Sequence, residues 1–561
     1  MLILGFNSTH DASAALLGDG MLLCAVEEER LSRKKHHYGF PEHAIDTCLK
    51  TAGVTWSDID RVVFYWNPWR GLFSFAWHFL RHLPGSAKYL GRQPGIWGDF
   101  VSLKGELKRR YGFDKTFRFH DHHANHLASA YWPSPFDEAI AMSIDGTGEW
   151  ETTAVCHVRG GRFQRLGRVT YPHSLGKLWE VATQYLGFRP NSGEGKVMGL
   201  APYGEPRFLE AFRRMVRPRG RYGYRLDKSW FLFHLGSEIK YSPRWIEAFG
   251  PAREPESAIT DVYADVARSL QEITEETGLQ LVRAAVEQTG CRRLCLAGGV
   301  ALNSVMNGRL LREGGIEEIY VQPSAGDAGA ALGAALQEHH RVLGGTGRQE
   351  MRHAYWGPEF PPHALKHAAE AAGFPARHVP DTVADEAAAL LDQGKILGWF
   401  QGRMEYGPRA LGARSILADP RRDEMKDTLN AKVKHREGFR PFAPACLAEH
   451  QDEWFVDAYH SPFMLLVFEV RPEKRALVPA ITHVDGTGRL QSVDGDSHPR
   501  YRELIEAFHR RTGVPMVVNT SFNVRGEPIV HTPEQAVACF RGTGLDALVL
   551  GDWIVEKTAA T

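Results

Sequence analysis

Two stretches, LILGFNSTHDASAALLGDGMLLCAVEE (2–28) and AIAMSIDGTGEWETTAVCHVRGGRFQRL (139–166), repeat one pattern. Each runs as an apolar strand, a polar loop carrying an acid, a second apolar strand, a tight glycine turn and a third strand. The turn is Gly-Asp-Gly in the first copy and Arg-Gly-Gly in the second. In both, small residues and a carboxylate follow the end of an apolar strand, the arrangement by which a sheet edge cradles a phosphate or a cation. Helical sequence around 256–290 then leads to a buried strand, RLCLAGGVALN (293–303), and to another acidic loop, VQPSAGDAGAALGAAL (321–336), which opens a long alanine-rich helix ending near His340.

A duplicated strand–loop–strand–turn–strand unit resembles the α/β actin/sugar-kinase/Hsp70-like superfold, whose two ribonuclease-H-like halves bind a nucleotide in their cleft. The segment LGGTGRQEMRHAYWGPEF (343–360) is rich in glycine and punctuated by proline, so it reads as the boundary to a second α/β domain. The expected division is 1–345 and 353–561.

The composition narrows the function classes. Lys+Arg and Asp+Glu both number 67 in a chain of 561 residues, which removes the overall basic excess expected of a protein that holds nucleic acid. No stretch approaches the roughly 20 apolar residues of a membrane span, and MLILGFNSTHD reads as a first strand and not as a signal peptide. The seven cysteines are odd in number and scattered, and Cys291 and Cys295 form an isolated pair without a second one at zinc-site spacing. A reduced, cytoplasmic protein is expected, with no nucleic-acid or membrane partner.

Four histidines crowd HDHHANHLASA (120–130). On a helix His122 and His126, four apart, share a face and suit one cation; solvated histidines are the plain alternative. Asp145 in IDGTGEW and Asp327 in SAGDAGA each follow a strand among glycines. Either carboxylate serves as an ordinary turn former or as an oxygen ligand. Together the four make a set compatible with Fe²⁺, Mn²⁺ or Zn²⁺. His10 and Asp11 lie in the first loop, where a substrate hydroxyl can be activated. Arg33, Lys34 and Lys35 in EEERLSRKKHHYG (27–39) read by default as a solvated charged loop, with anion capture as the sharper reading. The turns GEGKVMGLAPYG (193–204) and GGVALN (298–303) suit the sugar and phosphates of a nucleotide; neither matches a P-loop or a dinucleotide fingerprint. Gly146, Gly298, Gly299 and Asn303 are the expected contacts there, and Lys196 supplies charge.

In the second domain GRMEYGPRALGARS (402–415) carries Arg403, Arg409 and Arg414, and NAKVKHREGFRPFAP (430–444) carries Lys434, Arg436 and Arg440. HVDGTGRLQSV (483–493) adds Arg489, and VVNTSFN (517–523) adds Asn519, Ser521 and Asn523. Arginines bounded by Gly, Pro and Phe predict a partly buried pocket for a small, highly charged phosphate ester.

These motifs, with HDASAALL, EEERLSRKKH and HHANH, resemble over nearly the whole chain the O-carbamoyltransferases of antibiotic and nodulation-factor biosynthesis. The resemblance implies two stages: a C-terminal domain similar to threonylcarbamoyl-adenylate synthases makes carbamoyl-adenylate from carbamoyl phosphate and ATP, and the N-terminal domain transfers the carbamoyl group to an alcohol. It implies His122, His126, Asp145 and Asp327 as ligands of a divalent metal, Fe²⁺ first with Mg²⁺ or Mn²⁺ as alternatives. It implies His10 and Lys35 at the transfer site, and Arg409, Lys434, Arg440, Arg489, Asn519 and Ser521 around carbamoyl phosphate, with Arg409, Lys434 and Arg440 catalytic. A tRNA threonylcarbamoyl-type enzyme is the alternative, disfavoured by the balanced charge. The stretch 67–100, rich in Trp, Phe and Leu, reads as a peripheral helical insertion, as an apolar wall for an acceptor, or as a homodimer contact. A polyketide, macrolide or glycoside acceptor in antibiotic biosynthesis is the expectation it supports.

Overall fold

In the computed structural model the chain forms two compact units, one of residues 1–23, 38–41 and 49–350, the other of 24–37, 42–48 and 351–561. The structure describes residues 1–557, excluding the side chains of 88–97. Trp97 of the tryptophan-rich stretch therefore lies outside the described residues.

The duplicated pattern appears as two five-stranded sheets of matching order. The first runs Met21–Glu27, Ser13–Gly18, Leu2–Asn7, Arg61–Phe64, Thr116–Phe119; the second runs Arg162–Thr170, Glu151–Arg159, Glu138–Ile144, Arg293–Ala297, Glu318–Val321. In each, a hairpin partner is antiparallel to the central strand and the last two strands are parallel to it. This is the ribonuclease-H-like arrangement expected from the sequence. The turns Asp19–Gly20 and Gly160–Gly161 each place two successive residues at positive φ, the backbone that a two-residue hairpin with right-handed strand twist requires.

The alanine-rich helix Asp327–Gln337 is packed on two sides. A Cβ on Gly333 would stand 1.9 Å from the Asn125 carbonyl oxygen, and one on Gly5 would stand 2.1 Å from that of Ala331. Small residues therefore let this helix approach both the strand Leu2–Asn7 and the helix His122–Tyr131 at backbone distance. The tryptophan-rich stretch contributes two helices, Leu72–Leu80 and Ala87–Tyr111. Phe75 packs on Trp150 and Tyr171, whereas Trp69, Phe73 and Trp77 stand exposed.

The second unit is built on a nine-stranded mixed sheet in which Leu397–Phe400, Arg414–Ala418 and Met516–Ser521 lie side by side. The boundary at 343–360 is not a simple cut. Cys24–His37 joins the second unit because Ala25 N–H bonds the Trp356 carbonyl and Arg33 donates to the carbonyls of Pro528 and Ile529. Lys35, expected with the first domain, therefore belongs to the second unit. Among the described residues no helix is long and apolar enough to cross a membrane.

Gly333→Ala tests the close helix packing. Helix propensity alone favours alanine by about 1 kcal/mol. The backbone clash outweighs this, and a net loss of roughly 1–3 kcal/mol in denaturant unfolding is expected. Unchanged or increased stability would show that the two helices separate freely.

Candidate functional site

In the first unit the helix His122–Tyr131 presents His122 and His126, both fully buried, to Asp145 and Asp327. Asp145 follows the strand Glu138–Ile144, and Asp327 opens the helix Asp327–Gln337. His122 Nε2 lies 3.0 Å from His126 Nε2, 3.1 Å from Asp145 Oδ2 and 3.6 Å from Asp327 Oδ1. His126 Nε2 lies 3.7 Å from Asp327 Oδ1 and 3.9 Å from Asp145 Oδ2. Donors about 2.1 Å from one ion in a tetrahedral shell stand about 3.4 Å apart. The observed spacings straddle that value, so this donor set fits a divalent cation. Two imidazole nitrogens aimed at each other are poor partners unless a proton or a cation lies between them.

The electrostatics agree. Burial disfavours a charged His122, yet Asp327 and Asp145 outweigh it and push the imidazole up to about 9. Burial likewise works against an ionised Asp145, but His122 and His126 hold it well below the usual carboxylate range. His123, on another face, is driven down by burial and by its two neighbours, and its Nδ1 meets Ser143 Oγ at 2.7 Å. His120 pairs with Glu338 instead.

Residues that the sequence did not single out hold this site. Glu149 is buried and accepts the backbone N–H groups of His122 and Asn67, fixing the start of the histidine helix. Tyr65 and Trp66 pack their rings on His122. Asn7 closes the first loop by donating to the carbonyls of His10 and Asp11 and accepting from Thr9, and Thr9 Oγ1 meets Tyr65 Oη. His10 Nδ1 lies 2.9 Å from Asp11. Burial opposes its charge, but Asp11 and then Asp327 prevail and push it up to about 9.

Of the nucleotide candidates, Gly299 N–H bonds Asp145 Oδ1 at 2.8 Å, and the Gly146 carbonyl accepts from Ser174. Gly298 has φ +88° and passes so close to Ile144 that a Cβ would lie 2.3 Å from its carbonyl oxygen. Lys196 lies over the Phe188 ring. Asn303 departs from expectation. Its amide caps the helix Ser304–Glu313 through Met306 N–H and pairs with Gln271, so the side chain is committed to the fold.

In the second unit Arg409, Arg436, Arg440 and Arg489 form a cluster of like charge. Burial pushes Arg409 down to about 10 and Arg436 to about 9, with Arg440 adding to both and Glu437 opposing the shift at Arg436. Burial and the other three guanidiniums depress Arg489. A guanidinium stays protonated regardless, so the cluster gains from any anion that enters it. Arg409 Nε, Arg489 Nε and an Arg436 amino group are buried without a hydrogen-bond partner. Arg436, which the family resemblance does not place around carbamoyl phosphate, belongs with this group and lies over the Phe442 ring.

The remaining candidates frame the cluster. Lys434 Nζ donates to the Ser521 carbonyl, the Asn523 carbonyl and Asn523 Oδ1, tying down the loop after Met516–Ser521; burial and then Arg436 depress its pKa. Asn519 donates to the Ala410 carbonyl and to Gln491, and Gln491 donates to the Leu411 carbonyl. Asn519 thus braces the Arg409 and Arg489 segments against each other. Arg403 and Arg414 were expected in the pocket and are not part of it. Arg403 donates to the carbonyls of Trp356 and Gly357, and Arg414 to those of Gln401, Gly402 and Ala413.

Two family models match the chain: Carbamoyltransferase N-terminus over residues 2–336 and Carbamoyltransferase C-terminus over 388–557. An uncharacterised protein of Synechocystis sp. is 41% identical, covering 99% of this chain and 97% of its own length. Nodulation protein NolNO of Sinorhizobium fredii is 39% identical over 98% of this chain and 80% of its own, and nodulation protein U of Rhizobium tropici is 30% identical over 96% and 93%. A full-length HypF structure in the phosphate- and nucleotide-bound form is 14% identical over 62% of this chain and 56% of that one, with a TM-score of 0.32. With both halves matched in order, the chain belongs to the carbamoyltransferase family and is a carbamoyltransferase enzyme.

Proposed function

We propose that the enzyme is an ATP-dependent O-carbamoyltransferase working in two stages, one in each unit. The observation that carries this reading is the guanidinium cluster Arg409, Arg436, Arg440 and Arg489, partly buried charges that face one another and that Glu437 offsets only at Arg436 and Arg440. A carbamoyl phosphate dianion supplies that compensation. As its phosphate leaves, the cluster stabilises the charge that develops on it. Water provides the oxygen of the resulting carbamate, whose carboxylate displaces pyrophosphate from the α-phosphorus of ATP and leaves carbamoyl-adenylate. Lys434 acts by holding the Ser521–Asn523 loop at the rim.

In the first unit His122, His126, Asp145 and Asp327 would hold the divalent metal. When bound, it supplies positive charge against the adenylate phosphate. The acceptor hydroxyl attacks the carbamoyl carbon, the bond to AMP breaks, and the hydroxyl proton passes to His10 in its neutral form, a form that gains population as pH rises toward about 9 and that Asp11 orients through Nδ1. Gly299, whose N–H bonds Asp145, and the adjoining Gly298 line the nucleotide side. A polyketide, macrolide or glycoside hydroxyl is the proposed acceptor class, supported by the exposed Trp69, Phe73 and Trp77. Turnover of such alcohols with ¹⁴C-labelled carbamoyl phosphate tests it, and activity confined to polycationic aminoglycosides would reject it.

The stages separate experimentally. Arg440→Ala should lower carbamoyl-phosphate-dependent pyrophosphate release at least about 100-fold, as expected for loss of a preorganised charge contact. Wild-type release would refute the pocket assignment. His10→Asn should retain acceptor-independent pyrophosphate release while losing carbamoyl transfer, and loss of both would refute the division of labour.

For the metal, His126→Ala and Asp145→Asn should lower bound divalent metal, measured by elemental analysis, from near one per chain to a small fraction, with pyrophosphate release retained. Wild-type metal content in both variants would remove the four-residue cluster from consideration.

A further inference from the structure

The loop from Gly402 to Arg414 carries Arg409 and has little regular structure of its own, so something else must set its path. Gly407 and Gly412 adopt φ +116° and +107°, and a Cβ at Gly412 would stand 2.1 Å from the Tyr501 ring. The returning half of the loop turns its backbone N–H groups inward. Those of Leu411, Ala413 and Arg414 converge on one oxygen, Glu405 Oε1, at 2.8, 2.8 and 3.0 Å. Convergent amides of this kind form an anion nest, here filled by a carboxylate of the same loop.

Glu405 is completely buried, and such a charge needs a counter-charge. Arg30, far away in sequence and only 1% exposed, provides it. Its NH1 lies 3.7 Å from Glu405 Oε2, its NH2 donates to the Gly407 carbonyl, and its Nε bonds Glu27 at 3.3 Å. One guanidinium thus grips both ends of the turn that presents Arg409: the Gly407 carbonyl before it and, through Glu405, the amides after it. All of these groups lie within the second unit.

We infer that Arg30 and Glu405 are positioning residues for carbamoyl-phosphate binding, fixing the 407–414 turn so that Arg409 meets its anion. Neither joins the four clustered guanidiniums. This rests on the proposed pocket and adds that an N-terminal segment sets the pocket's affinity.

The test compares Arg30→Met, Arg30→Lys, isosteric Glu405→Gln, the Arg30→Met/Glu405→Gln pair and Arg409→Gln in the full-length enzyme. Carbamoyl-phosphate affinity is read by calorimetry, KM values by pyrophosphate release, and hydrogen exchange over 407–414 by mass spectrometry. Loss of a charge-assisted contact predicts a roughly tenfold or greater rise in KM for carbamoyl phosphate in Arg30→Met and in Glu405→Gln. KM for ATP should stay within about twofold, and exchange in 407–414 should rise. The double variant should be no weaker than the weaker single, as for residues acting as one unit. Arg30→Lys, which keeps the charge but not the fork, should fall between Arg30→Met and wild type. A fall in kcat with unchanged KM and exchange would mark a general structural role and overturn the inference. So would wild-type affinity in Arg30→Met and Glu405→Gln while Arg409→Gln loses it. Wild-type affinity in Arg409→Gln would instead overturn the pocket reading itself.

Discussion

Buried charge must find its opposite, and both candidate centres follow from how this chain meets or leaves unmet that requirement. In the first unit carboxylates gather: Asp145 and Asp327 face His122 and His126 and push the His122 imidazole up, and Glu149 stands just behind. In the second unit the imbalance has the other sign, with guanidiniums that depress one another. A site deficient in positive charge suits a metal and the phosphate it carries. One deficient in negative charge suits a phosphate ester.

The scaffold makes these imbalances tolerable by fixing the groups before any ligand arrives. Gly333 lets the helix bearing Asp327 press onto the helix bearing His122 and His126, and Gly148 leaves room beside His122, where a Cβ would stand 3.0 Å from its ring. In the second unit Asn519 and Gln491 stitch the Arg409 and Arg489 segments together through backbone carbonyls. Preorganisation of this kind keeps like charges close at a cost carried by the fold, so that binding and not rearrangement relieves it.

Much of this was legible in the sequence, for identifiable reasons. The duplicated sheets follow from strand alternation and two-residue glycine turns, signals that are local. That His122, His126, Asp145 and Asp327 meet could be expected from a helical i, i+4 pair and two acids after strands. What was not legible depends on contacts between residues far apart in the chain. Arg403 and Arg414 look like Arg409 in sequence, bounded by the same glycines, yet they serve backbone carbonyls. Asn303 sits in a motif suited to nucleotides and caps a helix. Glu149, Tyr65 and Asn7 announce themselves only when a loop closes on them.

The segment 24–37 shows the same limit from the other side. Its run of charges reads as a solvated loop, and for Lys34, which is exposed, that description holds. It fails for Arg33, which is bound to the carbonyls of Pro528 and Ile529, and most of all for Arg30, because Glu27 and Glu405 surround it in a place no water reaches. The nest around Glu405 has a chemical consequence for the pocket. Backbone amides at 411–414 would otherwise bind an external anion with little regard for its shape. With a tethered carboxylate filling them, anion recognition falls to guanidiniums, whose planar forks discriminate geometry as backbone amides alone do not. In the proposed pocket, selection among phosphate esters would then depend on a charge that never touches the ligand.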